Sequence, residues 1–279
     1  MDPFFEMMRK VQSTHYFDQM RRFAMPLSDH FGVNHFWYYK ISNAGSYAYM
    51  GTHASWSEFC FGNQLVNHFP CLRHPKALRS GISLMRAEGN EKFAQVQQAA
   101  WDRFRIHFIL NLFEKSDDGI EAFGFGARFN DPIAEERLLN ELPLLRYFIK
   151  VFREKHSKLF QILGENQVDL SSHMGTCFYE KPKQIFLPSD RDLFLKKLGC
   201  ESFFLLSSRE KEILKYLANG YPASFIKDEL HLGVRTIENY LVAIKIKLSC
   251  NSKVELIHKA KEIAATGFFD PHFNSDGYY

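Results

Sequence analysis

Between residues 205 and 267 apolar side chains recur at helical spacing, and a capping or turn residue interrupts each run. That pattern fits little except a bundle of short helices. The first run opens on Ser207-Ser208-Arg209-Glu210. The Ser207 hydroxyl can accept from the amide of residue 210 while Glu210 reaches back to the Ser207 amide, as in a capping box. Ile213, Leu214 and Leu217 follow on one face, and Asn219-Gly220 ends the run, glycine being suited to the left-handed closing residue. Pro222 is placed to open a second helix at its first turn, with Phe225, Ile226 and Leu230 as its buried side. After the turn His231-Leu232-Gly233, a third helix is expected from about Val234 to Leu248. Ile237, Leu241, Ile244 and Leu248 fall at i, i+4, i+7 and i+11, a single apolar stripe. Ser252 and Glu255 predict a second capping box. It opens a fourth helix whose inner face is Leu256, Ile257, Ala260 and Ile263 and which ends near Gly267.

Four short helices with a tight turn between the second and third form a helix-turn-helix arrangement. A helix whose apolar stripe packs inward must present its other side outward. Here that side carries Arg235, Glu238, Asn239, Tyr240, Val242, Lys245 and Lys247. Such a face fits the major groove, where Arg and Asn hydrogen-bond base edges. Flanking lysines and hydroxyls suit phosphates, which fix position rather than sequence.

At these residues the chain resembles the LuxR family of transcription regulators. The run LSSREKEILKYLANG resembles the family's opening L-T-x-R-E-x-E-V-L-x-x-x-A-x-G, and LGVRTIENYLVAIKIKL resembles its recognition helix, matching at Thr236, Ile237, Ile244, Lys247 and Leu248. The resemblance implies that Thr236 and Lys247 touch the DNA backbone, that Arg235, Glu238, Asn239 and Val242 approach bases, and that the fourth helix, residues 252–265, is a dimer surface. Departures from the family pattern are Gly233 for a capping Ser, Pro222 for another, Lys227 for a small residue near the turn, and Tyr240 for a His. Gly is an acceptable N-cap, and the Tyr240 hydroxyl can still donate to a phosphate.

Composition bounds the rest. The length of 279 residues predicts two domains. The formal net charge is +3, so overall charge does not mark a nucleic-acid binder. From Ser207 to Gly267, however, ten basic residues face seven acidic ones, which places the surplus in the last quarter. The five cysteines are scattered and form no C-x-x-C pair, against a disulfide framework or a zinc ribbon. Residues 1–12 mix acids and bases, unlike a secretory leader. No run approaches the ~18 apolar residues of a membrane span. The expected location is the cytoplasm, and no membrane partner is expected.

Residues 1–25 read as one amphipathic helix ended by Pro26. Gly32–Ile41 and Ser46–Thr52 read as paired strands around Asn43-Ala44-Gly45, residues 55–68 and 91–104 as helices, and 81–86 as a short strand. Arg105–Glu114 and Ile120–Phe129 flank Ser116-Asp117-Asp118-Gly119 as a hairpin. Residues 132–163 are mostly helical, broken near Pro143. The expected fold class is therefore α+β for the N-terminal domain. It is an antiparallel sheet flanked by helices, an architecture shared by PAS-like, GAF-like and autoinducer-binding domains, and it precedes an all-α four-helix C-terminal domain. The expected boundaries are 1–182 for a sensor or regulatory domain, 183–204 for a linker, 205–270 for the DNA-binding domain and 271–279 for a tail.

The aromatics Trp37, Tyr39, Tyr47, Tyr49, Trp56 and Phe59 are the candidate lining of an apolar ligand pocket; the competing reading is that they fill the core. The acidic residues early in the chain stand alone, unlike those of a phosphoacceptor receiver. Trp37, Tyr39, Trp56 and Trp101 lack the spacing of an acyl-homoserine-lactone site, and His74-Pro75 is only faintly like that family's Asp-Pro. His68, Cys71 and His74 lack a fourth ligand, so no metal and no cofactor are expected. Gly124-Phe125-Gly126 reads as strand packing rather than a phosphate cradle. With no catalytic constellation, an enzyme is not expected. The expected partners are double-stranded DNA and a second copy of the chain as homodimer, with RNA polymerase and an unidentified small-molecule effector as further candidates. The alternative is a signalling adaptor that uses the helical domain for protein contacts.

Overall fold

The computed structural model describes residues 3–128, 130–180 and 191–269; the side chain of residue 191 is not described. Residues 183–190 of the expected linker and the tail 271–279 lie outside the described residues. The chain divides into two compact units, Met1–Gln184 and Ile185–Tyr279.

The first unit opens with three helices, α1 (Pro3–Gln12), α2 (His15–Phe23) and α3 (Met25–Phe31). The single helix expected over 1–25 is thus broken at Ser13-Thr14. Pro26 does not end a helix but sits in the first turn of α3, where its missing N–H is no loss. Then come β1 (Val33–Ser42), β2 (Ser46–Gly51), α4 (Ala54–Gly62), β3 (Gly81–Leu84), α5 (Glu91–Phe104), β4 (Ile106–Ser116) and β5 (Gly119–Arg128). They are followed by α6 (Ala134–Asn140), α7 (Leu142–Lys155), α8 (Ser157–Glu165), β6 (Val168–Asp169) and α9 (Leu170–Met174). The helix read over 55–68 ends at Gly62 and resumes as a 3-10 turn over Leu65–His68. The sequence pattern gave no sign of β6, a two-residue strand that pairs with Ser46 and Tyr47 of β2.

The six strands form one antiparallel sheet in the order β3-β4-β5-β1-β2-β6. Helices cover both faces. Trp37, Tyr39, Ile41, Tyr47, Tyr49 and Phe108 pack against α1, α4 and α5, while Phe36, Tyr38, Met50, Phe123 and Phe125 pack against α2, α3, α6, α7 and α8. Burial on two sides is why β1 and β5 read as near-continuous apolar runs rather than clean alternations. Gly124 is a close-approach position: a Cβ there would lie 1.7 Å from Cε2 of the Trp37 ring, which lies across β5. On the opposite face Arg153 ties α7 to the sheet through Glu114 and Glu121, each at 2.7 Å.

The second unit contains α10 (Arg191–Lys197), a 3-10 turn over Glu201–Leu205, α11 (Ser208–Ala218), α12 (Ala223–Glu229), α13 (Val234–Lys247) and α14 (Lys253–Ala265). Its core is built from Ile213, Leu214, Leu217, Ile226, Leu230, Ile237, Ile244, Leu248, Leu256, Ala260 and Ile263. Leu195, Phe203 and Leu206 are buried in the same core. Residues 191–204 are therefore part of this unit rather than free linker, because their apolar side chains are removed from water there. Among the described residues, no helix is long and apolar enough to cross a membrane.

Candidate nucleic-acid interface and aromatic cavity

The local signals of the second unit place its helices. Ser207 Oγ accepts from the Glu210 amide at 3.3 Å, and Glu210 Oε2 accepts from the Ser207 amide at 2.6 Å, completing the capping box. Gly220 has φ +83°, the left-handed conformation its position requires. Pro222 is the N-cap of α12 rather than its first residue. Phe225 does not enter the core: it is 37% exposed and stacks on Tyr221 at 4.4 Å, turned away from the buried Ile226. The α12–α13 turn passes through His231 at φ +52°, with the Leu232 amide donating to Lys227 O at 2.9 Å. Arg209 holds this turn from α11, donating from Nη2 to Leu230 O at 2.9 Å. The second box is shifted by one residue: Ser252 Oγ accepts from the Glu255 amide, but Glu255 Oε2 takes the amide of Asn251.

On α13, Ile237 and Ile244 are fully buried and Leu241 lies at the edge of the core, and Leu248, which caps the helix end, is nearly buried. The opposite face is open. Arg235, Thr236, Glu238, Asn239 and Val242 are exposed, and Tyr240 and Lys245 are half-buried. Ile246, which the sequence reading did not single out, is 74% exposed. Its signal was available, because Arg235, Asn239, Val242 and Ile246 repeat the i, i+4, i+7, i+11 spacing of the buried stripe, displaced by two residues and so by about 200° around the helix.

Lys247 is committed inward. Its ammonium lies 2.7 Å from Glu210 Oε2, joining the end of α13 to the start of α11. Burial alone would raise the Glu210 carboxyl; the Lys247 hydrogen bond and the Ser207 amide outweigh it and hold the group below the usual carboxylate range. Lys247 thus helps to place α13, and the contact uses one of the three N–H donors of its ammonium.

In the first unit, five of the six candidate pocket residues, Trp37, Tyr39, Tyr47, Tyr49 and Trp56, line one cavity. Phe59 does not line it, lying half-buried on α4 between Trp56 and Phe104 with Arg103 over its ring. His35, which the sequence did not mark out, lines the cavity. Trp37 Nε1 donates to Asn111 Oδ1 at 3.1 Å, Tyr39 donates to Cys71 O at 3.3 Å, and Tyr49 meets Ser57 Oγ at 3.1 Å. Burial raises the Tyr39, Tyr47 and Tyr49 phenols and the Cys60 thiol, pushes Cys71 up to about 11, and with His53 nearby lowers His35 to about 3. These groups are neutral at pH 7, so the space suits uncharged matter. The free space between these side chains is a cavity of about 30 Å³. That is space on the scale of two or three waters, each needing roughly 10–15 Å³.

Residues 205–260 match the family described as bacterial regulatory proteins, luxR family. The chain is 40% identical over 57 residues to the transcriptional activator protein ExaE of Pseudomonas putida, covering 20% of this chain and 27% of that protein. It is 40% identical over 62 residues to the oxygen regulatory protein NreC of Staphylococcus epidermidis, covering 22% and 28%. The chain thus spans little more than a quarter of the length of these curated relatives. Among solved structures, Escherichia coli SdiA aligns at TM-score 0.36 and 13% identity, covering 93% of this chain and 94% of that one. SdiA in complex with octanoyl-rac-glycerol aligns at TM-score 0.37 and 14% identity, covering 94% and 93%.

Proposed function

We propose, from the premise that residues 205–260 form a LuxR-family helix-turn-helix domain, that this chain is a dimeric, cytoplasmic, non-enzymatic transcription regulator whose first unit modulates DNA binding by the second. One observation carries the reading. The polar face of α13 is exposed, and among the described residues Arg235 and Asn239 have no hydrogen-bonding or ionic partner for their side chains, while the reverse face is sealed in the core. A guanidinium and an amide so presented match the donor and acceptor pattern of base edges in the major groove. One such module offers few contacts, so two copies on two half-sites supply the affinity. The outer side of α14 is the proposed dimer surface. RNA polymerase is the partner through which a regulator bound beside a promoter acts.

For the first unit, the neutral aromatic cavity supports a sensor of a small uncharged effector, with displacement of the packed rings required for entry. The adaptor alternative predicts no duplex binding and a protein complex through the same helices. The test is duplex binding by the full chain as salt is raised. Affinity that falls linearly in log–log form, and that drops in Arg235→Ala and Asn239→Ala without loss of fold, supports the regulator. Salt-independent binding, or none with or without cell extract, refutes it.

A further inference from the structure

The outward stripe of α13 is half polar and half aliphatic. Arg235 and Asn239 occupy its first turns; Val242, 51% exposed, and Ile246, 74% exposed, occupy its last. Lys245 and Glu238 flank the stripe on one side, and Thr236 and Tyr240 on the other. Two aliphatic side chains in line on a face that enters a groove carry information. Opposite a G·C pair they would cover the cytosine amino donor and the guanine acceptors without replacing their lost water, which is unfavourable. Opposite an A·T pair they meet the thymine C5-methyl, the one apolar group on the major-groove edge. The polar end has its own preferences, since Arg pairs with O6 and N7 of guanine and Asn with N6 and N7 of adenine.

We propose that the half-site read by α13 carries guanine at the Arg235 end, adenine under Asn239, and thymine methyls under Val242 and Ile246 at the other end. This rests on the DNA-binding reading above and names the sequence that reading leaves open. At a rise of about 1.5 Å per residue the stripe is about 16 Å long. Against a base-pair rise of about 3.4 Å it spans four to five base pairs.

The test begins with selection by the full chain from a random duplex pool at low salt, with and without cell extract. Duplexes carrying the enriched half-site are then remade with deoxyuridine for thymidine, which removes single methyls and leaves the pairing edge intact. The expected loss is about fourfold per methyl, the factor that ~0.8 kcal/mol per buried methyl-sized group gives. In Val242→Ala and Ile246→Ala the loss should vanish at the one thymine beneath each residue and persist elsewhere. Both side chains lie outside the core, so the variants retain the fold. Arg235→Ala should lose the guanine preference by roughly five- to 150-fold, the range for a bidentate contact. Enriched half-sites with G·C pairs at the aliphatic end, or variants that keep full deoxyuridine sensitivity, overturn the assignment and leave DNA binding standing. A pool from which no duplex is enriched refutes DNA binding itself.

Discussion

Replacing Lys247 by Met should unfold the second unit more easily and leave its phosphate count unchanged. The Lys247–Glu210 contact is 2.7 Å, with the Glu210 side chain 5% exposed and that of Lys247 34% exposed. A hydrogen bond to a charged group contributes about 1.5–3 kcal/mol, and partial exposure of the lysine argues for the lower part of that range, about 2 kcal/mol. For a domain of this size each kcal/mol moves the melting temperature by roughly 4–8 °C, so the expected fall is about 8–16 °C. The three tryptophans, Trp37, Trp56 and Trp101, all lie in the first unit. The assay is therefore thermal unfolding followed by far-ultraviolet circular dichroism and by tryptophan emission together. The dichroism transition should move and the emission transition should not. Glu210→Gln and the double variant complete a cycle, and coupling of a kcal/mol or more marks the pair. Binding measured well below the new melting temperature should keep the parental salt slope. If stability is unchanged and the slope of log K against log salt shrinks by about 0.9, the loss of one phosphate contact, Lys247 is a backbone ligand and the placement argument is wrong.

Three further outcomes follow from the same physics. Gly124→Ala should destabilise the first unit by about 3 kcal/mol or block its folding, since the new methyl meets the Trp37 ring; unchanged tryptophan emission and an unchanged denaturant midpoint would contradict the packing. His35 is buried with its pKa lowered to about 3, so the unfolded chain binds the extra proton first. The first unit should lose stability as pH falls below about 6.5 by up to ~1.4 kcal/mol per pH unit, and His35→Asn should flatten that slope in melts between pH 7.5 and 5.5. The depressed Glu210 carboxyl acts in the second unit with an acid limit of the same sign. Its contribution is present above the ordinary carboxylate range and disappears as pH falls through the folded value, an acid dependence of the dichroism midpoint that Glu210→Gln should remove.

What the sequence made legible was what is local. The capping box at Ser207, the left-handed Gly220, the helix over residues 91–104 and the hairpin across Asp117-Asp118 each depend on neighbours within a few positions, and each is found. What it hid was set by distant partners. Near the break at Ser13-Thr14 the chain changes sides of the sheet: Phe4, Met7 and Met8 pack on one face while Val11, at the end of α1, and Phe17 and Met20 pack on the other, a division no periodicity in α1 and α2 records. β6 consists of two residues held by β2. Phe225 carries the same helical phase information as a core residue, yet Tyr221 offers it a stacking surface outside the core.

Lys247 shows the limit most clearly. Its place on α13 predicts a cation near the groove, and only the fold brings a buried carboxylate from 37 residues away to claim it. A positive charge on a helix that faces a phosphate can offer it only the N–H donors that its partners inside the protein leave unused. The side chains of α13 that point furthest from the core are those two positions out of phase with the buried stripe. Counting from Ile237, that rule selects Arg235, Asn239, Val242 and Ile246 and rejects Lys247. The aliphatic residues in such a set belong to the outward face as much as the charged ones, because a face with no partner inside the protein is defined by its phase and not by its polarity.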